Sequence, residues 1–137
     1  MQPGDLKKAG LSTTLPRLKI LQYLESAKQR HLSAEEIYRG LGAAGEEIGL
    51  ATVYRVLHQF ETAGLVRRLN LDHQRAVYEL DSGRHHDHML CTRCGQIVEF
   101  EDAVIESQQH AIAARNGWAL NDHALVLYGL CPACRGA

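Results

Sequence analysis

The sequence predicts an α+β protein: an N-terminal winged helix-turn-helix domain, then a small α/β domain with a four-cysteine metal site. Two observations support this fold class. Three amphipathic segments and two short alternating segments follow one another in the first 80 residues, which is the order of a winged helix-turn-helix. Two Cys-x-x-Cys pairs then occur in the second half. With 45% apolar and 23% charged residues, the composition is that of an ordinary folded protein.

The first two helices are predicted from periodicity and from a capping signal. Residues 15–28 carry apolar residues close to helical spacing, and Pro16 stands in the first turn, where proline is tolerated. Ser33 followed by Glu36 matches a capping box, which predicts that a second, short helix begins there. The glycines Gly42 and Gly45 are expected to end it.

The third helix and a hairpin complete the first domain. Residues 50–64 place four apolar side chains on one face, and Gly64 supplies a stop. The four are Val53, Val56, Leu57 and Phe60. Residues 65–71 and 76–80 then alternate like strands and are joined by a polar connection, which indicates a hairpin.

The third helix is a candidate for reading DNA. Tyr54 and Arg55 lie in its early turns, which enter the major groove first in a helix-turn-helix. Arginine pairs bidentately with guanine, and tyrosine contacts a thymine methyl group or a phosphate. The alternative interpretation is an amphipathic surface helix that carries an ordinary arginine.

The second half predicts a different arrangement. Residues 88–91 and 96–101 alternate and flank the first cysteine pair, so they are expected to form antiparallel strands. A helix over 103–116 should end at Gly117, and one or two strands within 118–130 should lead to the last cysteines. Charge changes between the halves: residues 1–80 carry eleven Lys and Arg against nine Asp and Glu (+2), and residues 81–137 carry four against seven (−3). We therefore predict domains at 1–82 and 83–137.

The cysteines predict a structural zinc site. Two Cys-x-x-Cys pairs brought together make a closed tetrahedral site that leaves no position open for a substrate. The set is Cys91, Cys94, Cys131 and Cys134, with no cysteine left over. A disulfide framework or a redox pair is the alternative.

No apolar run approaches the roughly 18 residues of a membrane span, and Met1 to Gly10 lacks the apolar core of a signal peptide. The cytoplasm, a reducing compartment that favours metal ligation, is therefore expected.

The histidine cluster indicates a second kind of metal. On a strand, His86 and His88 share one face, while His85 and Asp87 share the other, so one segment can supply two sites. Imidazole mixed with carboxylate suits Fe²⁺, Mn²⁺, Co²⁺ or Zn²⁺. A histidine cluster on the surface, without any metal, is the alternative.

Three motifs in this order resemble the ferric uptake regulator family: residues 49–60 (Gly-Leu-Ala-Thr-Val-Tyr-Arg-Val-Leu-His-Gln-Phe), the run from His85 to His88, and the two cysteine pairs. The resemblance extends from about Leu6 to Cys134. It implies a metal-dependent transcriptional repressor that binds double-stranded operator DNA as a homodimer. The C-terminal domain would be the dimerisation domain, and assembly of dimers into a tetramer stays open.

The resemblance also implies functional residues. A regulatory hinge site for Fe²⁺, with Mn²⁺, Co²⁺ or Zn²⁺ as substitutes, would use His31, Glu79, His86, His88 and Glu99. A second site in the dimerisation domain would use His85, Asp87, Glu106 and His123. DNA contacts would involve Arg17, Thr52, Tyr54 and Arg55. Many members carry a lysine at about the position of Ser12, so one minor-groove contact is expected to be missing here.

Four other functions compete with an iron-responsive repressor. A zinc-uptake regulator shares the fold but usually lacks the full His-His-Asp-His run. A peroxide-sensing relative typically carries aspartates at positions 79 and 99, where the two glutamates of this chain favour iron. A metal carrier would not need the winged helix. An enzyme is not expected: a zinc deaminase needs a His-x-Glu element before Pro-Cys-x-x-Cys, which the chain lacks, and a four-cysteine site has no open coordination position. We therefore expect neither a small-molecule substrate nor a membrane partner.

Overall fold

The computed structural model describes residues 3–72, 75–81 and 86–136. The chain divides into two units, residues 1–83 and 84–137. The predicted domain boundary at 82/83 falls among residues that are not described, so its position stays a prediction. Within the described ranges, no helix is long and apolar enough to cross a membrane.

The first unit contains four helices and a two-stranded antiparallel sheet among its described residues. These elements are α1 (Pro3–Lys8), α2 (Leu15–Ser26), α3 (Ala34–Ala43), α4 (Leu50–Thr62), β1 (Val66–Asp72) and β2 (Arg75–Leu80). The three helices and the hairpin of the predicted winged helix-turn-helix are confirmed as α2, α3, α4 and β1–β2. The short helix α1 is not predicted, and its Leu6 is completely buried in the core.

Side-chain caps begin two of these helices. Thr14 Oγ1 accepts a hydrogen bond from the backbone N–H of Arg17 at the start of α2. At α3 the predicted capping box is present: the Glu36 N–H donates to Ser33 Oγ (3.1 Å), and the Ser33 N–H donates to Glu36 Oε1 (3.0 Å). Because these bonds satisfy amide groups that the first turn leaves without partners, both helices begin where the sequence predicts.

The apolar face of α4 lies at the centre of the first unit. All four side chains predicted for this face, Val53, Val56, Leu57 and Phe60, are buried in the core. Burying a side chain of this size stabilises the fold by roughly 1.5–3 kcal/mol. Gly64 has φ +80°, a left-handed conformation that ends the helix as predicted. The opposite face of α4 stays exposed.

The hairpin is joined to the segment that precedes α3. Leu32 and Tyr78 form an antiparallel bridge, in which the Leu32 N–H donates to the Tyr78 carbonyl (3.1 Å) and the Tyr78 N–H donates to the Leu32 carbonyl (2.7 Å). As a result, the residues on either side of this bridge, His31 and Glu79, become neighbours.

The second unit consists of a three-stranded sheet and two helices among the described residues. They are β3 (Asp87–Cys91), β4 (Ile97–Phe100), α5 (Ala103–Arg115), β5 (Val126–Gly129) and α6 (Pro132–Arg135). The strand order is β4-β3-β5; the predicted antiparallel pairing of β3 with β4 is confirmed, and β5 runs parallel to β3.

Only a short part of the predicted 118–130 strand region is a strand. Residues 118–125 form no strand, and β5 begins only at Val126. The helix itself begins after Asp102, whose Oδ1 accepts from the N–H groups of Val104 and Ile105, and Gly117 (φ +72°) follows its end. No side chain of α5 is buried, and Val104 is 72% exposed.

Candidate metal centres and nucleic-acid interface

The four cysteines come together in the second unit. The four Sγ atoms all lie within 4.8 Å of one another, and Cys94 Sγ and Cys131 Sγ are 3.8 Å apart. Four sulfurs bound tetrahedrally to zinc at about 2.3 Å lie about 3.8 Å from one another. A disulfide needs about 2.05 Å, so this spacing fits a zinc site and not a disulfide. The predicted convergence of the two cysteine pairs is confirmed.

Backbone groups already favour negative charge at this cluster. The N–H groups of Cys94 (3.5 Å) and Cys131 (3.4 Å) donate to Cys91 Sγ, and they lower the pKa of Cys91 to about 5. The hydrogen bond with the Cys131 side chain instead raises the pKa of Cys134 to about 12. Crowded sulfurs therefore retain protons by themselves, whereas a divalent cation stabilises all four as thiolates.

Two residues inside the first cysteine pair contact the segment that ends with the second pair. Arg93 Nη1 donates to the carbonyl of Cys134 (3.0 Å), and the Thr92 N–H donates to the carbonyl of Gly129 (2.8 Å). Sequence reasoning missed both contacts, because the x positions of a Cys-x-x-Cys motif carry no signal for a distant partner.

Two of the predicted regulatory ligands meet in the first unit. His31 Nε2 and Glu79 Oε2 are 3.0 Å apart, and both residues are buried, Glu79 with only 3% of its surface exposed. Two ligand atoms bound to one ion at about 2.1 Å and at right angles also lie about 3.0 Å apart. The pair has the spacing of neighbouring ligands on one metal ion.

The other three predicted regulatory ligands lie close together in the second unit. His88 is buried on β3 directly opposite Glu99 on β4. His86 Nδ1 lies 3.4 Å from Glu99 Oε2, and His86 Nε2 lies 3.7 Å from Glu101 Oε1. Sequence reasoning did not select Glu101, which follows the end of β4 two residues after Glu99.

The second predicted metal site is assembled in part. Asp87 Oδ1 lies 3.3 Å from His123 Nε2, and Asp87 is completely buried. Glu106 stands in the first turn of α5. His85 lies outside the described residues, so the structure brings together Asp87 and His123 of this set.

The predicted DNA-reading residues of α4 lie on its exposed face. Tyr54 is 44% exposed, and Arg55 is exposed with its Nη2 3.4 Å from Thr52 Oγ1. Arg17 is instead held within the protein: its Nε donates to Gln59 Oε1 (3.1 Å), and its Nη1 donates to the carbonyl (2.9 Å) and hydroxyl (2.8 Å) of Ser12. Arg17 therefore orders the segment around Ser12, the position at which the resemblance leads one to expect a lysine.

A further polar contact on this face was not predicted. The Tyr54 hydroxyl donates a hydrogen bond to the carboxylate of Glu35 in the first turn of α3. This bond raises the pKa of Tyr54 above its ordinary value and lowers the pKa of Glu35. No local sequence signal connects a residue of α3 with one of α4, since their contact depends on how the two helices pack.

Comparison with known proteins agrees with these features. The model described as the Ferric uptake regulator family matches residues 8–128. The ferric uptake regulation protein of Pseudomonas aeruginosa is 57% identical over 128 residues, which cover 93% of this chain and 96% of that protein. A ferric uptake regulator structure from Francisella tularensis with iron has a TM-score of 0.86 at 44% identity, covering 92% of this chain and 96% of that one. A Pseudomonas aeruginosa ferric uptake regulator structure with manganese has a TM-score of 0.81 at 54% identity, covering 96% and 99%.

Proposed function

The chain belongs to the ferric uptake regulator family, and from this membership we propose that it is a metal-dependent transcriptional repressor that binds operator DNA as a homodimer when Fe²⁺ occupies its regulatory site. On this proposal the protein acts by binding rather than by catalysis. Its place of action is the cytoplasm, where operator DNA is found.

The observation that carries the proposal is the buried His31–Glu79 pair. His31 stands just before the segment that caps α3, and Glu79 lies on β2, the second strand of the hairpin. A ligand set at this point is connected through α3 and the hairpin to the helix that presents Tyr54 and Arg55. Metal binding and DNA reading therefore share one structural unit.

The regulatory site that we propose combines this pair with the ligands of the second unit, His86, His88 and Glu99. A divalent cation bound there would be coordinated by these imidazole and carboxylate groups. His31 and Glu79 would contribute a nitrogen and an oxygen, whose spacing suits one ion. The remaining donors would come from the second unit, as the resemblance to the family implies. Similarity to regulator structures with iron and with manganese supports Fe²⁺, with Mn²⁺ as a substitute. Co²⁺ and Zn²⁺ are further substitutes that suit the same mixture of imidazole and carboxylate ligands.

Two further metal assignments are part of the proposal. Cys91, Cys94, Cys131 and Cys134 would hold a structural zinc ion, because their sulfur spacing fits a tetrahedral site. His85, Asp87, Glu106 and His123 would form the second site, supported by the Asp87–His123 pair at 3.3 Å.

The exposed apolar surface of the second unit supports its role as the dimerisation domain. Val98, Met89 and Leu127 are direct neighbours across the three strands, and all three are more than 40% exposed. A contiguous exposed apolar row of this kind is typical of a protein interface. We propose that a second copy of the chain covers it, with assembly into tetramers left open.

A metal titration of DNA binding tests the proposed function. Fluorescence anisotropy of a labelled AT-rich palindromic operator would be measured anaerobically, at fixed salt, with zinc-loaded protein and added Fe²⁺, Mn²⁺ or Zn²⁺. We expect Fe²⁺ or Mn²⁺ to raise operator affinity by roughly 5- to 150-fold, the range of ordinary allosteric coupling. His31→Ala should abolish this gain.

Substitution of Arg55 provides the matched control for DNA reading. Arg55→Ala should lose operator affinity while it binds the regulatory metal as the unchanged protein does. Tight binding that requires only very low free Zn²⁺ would identify a zinc-uptake regulator. Metal binding without operator binding under any condition would identify a metal carrier and contradict the proposal.

A further inference from the structure

The hydrogen bond between Glu35 and Tyr54 constrains the face that we propose to read DNA. Glu35 lies in the first turn of α3 and Tyr54 lies in the second turn of α4, and both are exposed. Tyr54 is therefore fixed at its polar end by a residue from a neighbouring helix. Its ring remains accessible on the surface.

This contact limits what the Tyr54 hydroxyl can do. A phenol has a single hydrogen to donate, and here Glu35 accepts it. The same hydroxyl cannot donate to a DNA phosphate at the same time. The Glu35 carboxylate also adds a negative charge beside this position, which repels phosphates of any sequence.

Arg39, one turn after Glu35 on α3, helps to keep the carboxylate charged. Together with the phenol hydrogen bond, which has the larger effect, it lowers the pKa of Glu35. The Glu35 carboxylate is therefore charged at neutral pH, and its effect on DNA binding should not change with pH near neutrality.

We propose that Glu35 is a specificity-determining positioning residue: it holds Tyr54 for contact with bases and prevents its hydroxyl from serving as a phosphate anchor. This inference rests on the proposed function. Glu35 acts through Tyr54. It weakens binding to DNA that has the phosphates but not the base sequence of the operator.

The first test uses the free protein. The pKa of Tyr54 is obtained from the ultraviolet absorbance of the phenolate, as the difference between the unchanged protein and Tyr54→Phe. Glu35→Gln should bring this pKa down towards the ordinary value for tyrosine. A Tyr54 pKa that Glu35→Gln leaves unchanged would show that the contact is absent in solution and would overturn the proposal.

The second test compares operator DNA with a scrambled duplex of equal length, by anisotropy at fixed salt and saturating metal. Glu35→Ala should lower the ratio of operator to scrambled affinity by about tenfold, mainly by strengthening binding to the scrambled duplex. Glu35→Gln should have a smaller effect. On a Tyr54→Phe background, Glu35→Ala should change the ratio much less, because the hydroxyl it restrains is gone.

Glu47→Gln is the matched control, since it removes one negative charge from an exposed residue of the connection before α4. An equal change of the ratio in Glu47→Gln would show that charge alone is responsible and would overturn the proposal. An unchanged ratio in Glu35→Ala, with normal operator binding by the unchanged protein, would overturn it as well. Failure of the unchanged protein to bind operator with any metal would instead contradict the proposed function, whatever the Tyr54 pKa shows.

Discussion

At the scale of single residues, function depends on polar groups whose protonation is set by their neighbours. Cys91 is the clearest case. Two backbone N–H groups donate to its sulfur and lower its pKa to about 5, while the neighbouring Cys131 raises the pKa of Cys134 to about 12. The cluster thus combines one sulfur that is anionic at neutral pH with another that keeps its proton unless a bound cation displaces it. A structural zinc ion would hold all four sulfurs as thiolates.

The lowered pKa of Cys91 predicts how the zinc-free protein titrates. The unperturbed value is 9.0, so between about pH 5 and pH 9 the folded chain binds fewer protons at this thiol than the unfolded chain does. Its contribution to stability is complete above pH 9 and is lost as the pH falls through 5. We expect the ultraviolet absorbance of one thiolate to persist down to about pH 5 in reduced, zinc-stripped protein.

Cys91→Ser controls for the identity of this thiolate, because it should remove the absorbance change near pH 5. Titration of all thiolates near pH 9 in the folded, zinc-stripped protein would contradict the assignment. Circular dichroism on the same samples reports whether the chain is folded.

At the scale of elements, caps and apolar faces determine where each helix begins and what it buries. The Ser33–Glu36 capping box begins α3 immediately after the Leu32–Tyr78 bridge. The same short segment therefore positions both His31 and Glu35. The start of α3 therefore connects the candidate metal ligand His31 with Glu35, which contacts the candidate DNA-reading face.

Removing the cap should have a measurable cost. Ser33→Ala leaves the Glu36 N–H without its side-chain acceptor, so we expect the free energy of unfolding to fall by about 1 kcal/mol. Urea denaturation followed by circular dichroism measures this change. Ser107→Ala, at an exposed position within α5, should change stability by less than about 0.5 kcal/mol. Equal effects of the two substitutions would argue against a stabilising cap.

At the scale of the whole molecule, assembly is expected to complete the second unit. Among its described residues, α5 has no buried side chain, and the row formed by Val98, Met89 and Leu127 is exposed. A second copy of the chain would remove this apolar surface from water, which favours association by about 25 cal/mol for each Å² buried.

Dimerisation should therefore be sensitive to charge at the centre of this row. Met89→Asp places a carboxylate where apolar surface would be buried, so we expect the dimer to dissociate into monomers at micromolar concentration. Analytical ultracentrifugation measures the change. Gln22→Asp adds the same charge at an exposed position of α2 and should leave the dimer intact. A dimer unaffected by Met89→Asp would place the interface elsewhere.

Features that depend on residues close together in the chain could be predicted from the amino-acid sequence. The capping box at Ser33, the apolar face of α4 and the stop at Gly64 act within one or two helical turns, so periodicity and local hydrogen bonding suffice to predict them. The two cysteine pairs were recognisable for the same reason, and resemblance to a family extended the interpretation to separated ligands such as His31 and Glu79.

Which distant groups meet is set by the packing of the whole fold. The Arg93–Cys134 and Glu35–Tyr54 hydrogen bonds join residues from different elements, and β5 pairs in parallel with β3 although β4 and α5 separate the two strands in sequence. These arrangements follow from the packing of whole helices and strands. Local propensity contains no information about that packing, because it describes each segment without its neighbours in space.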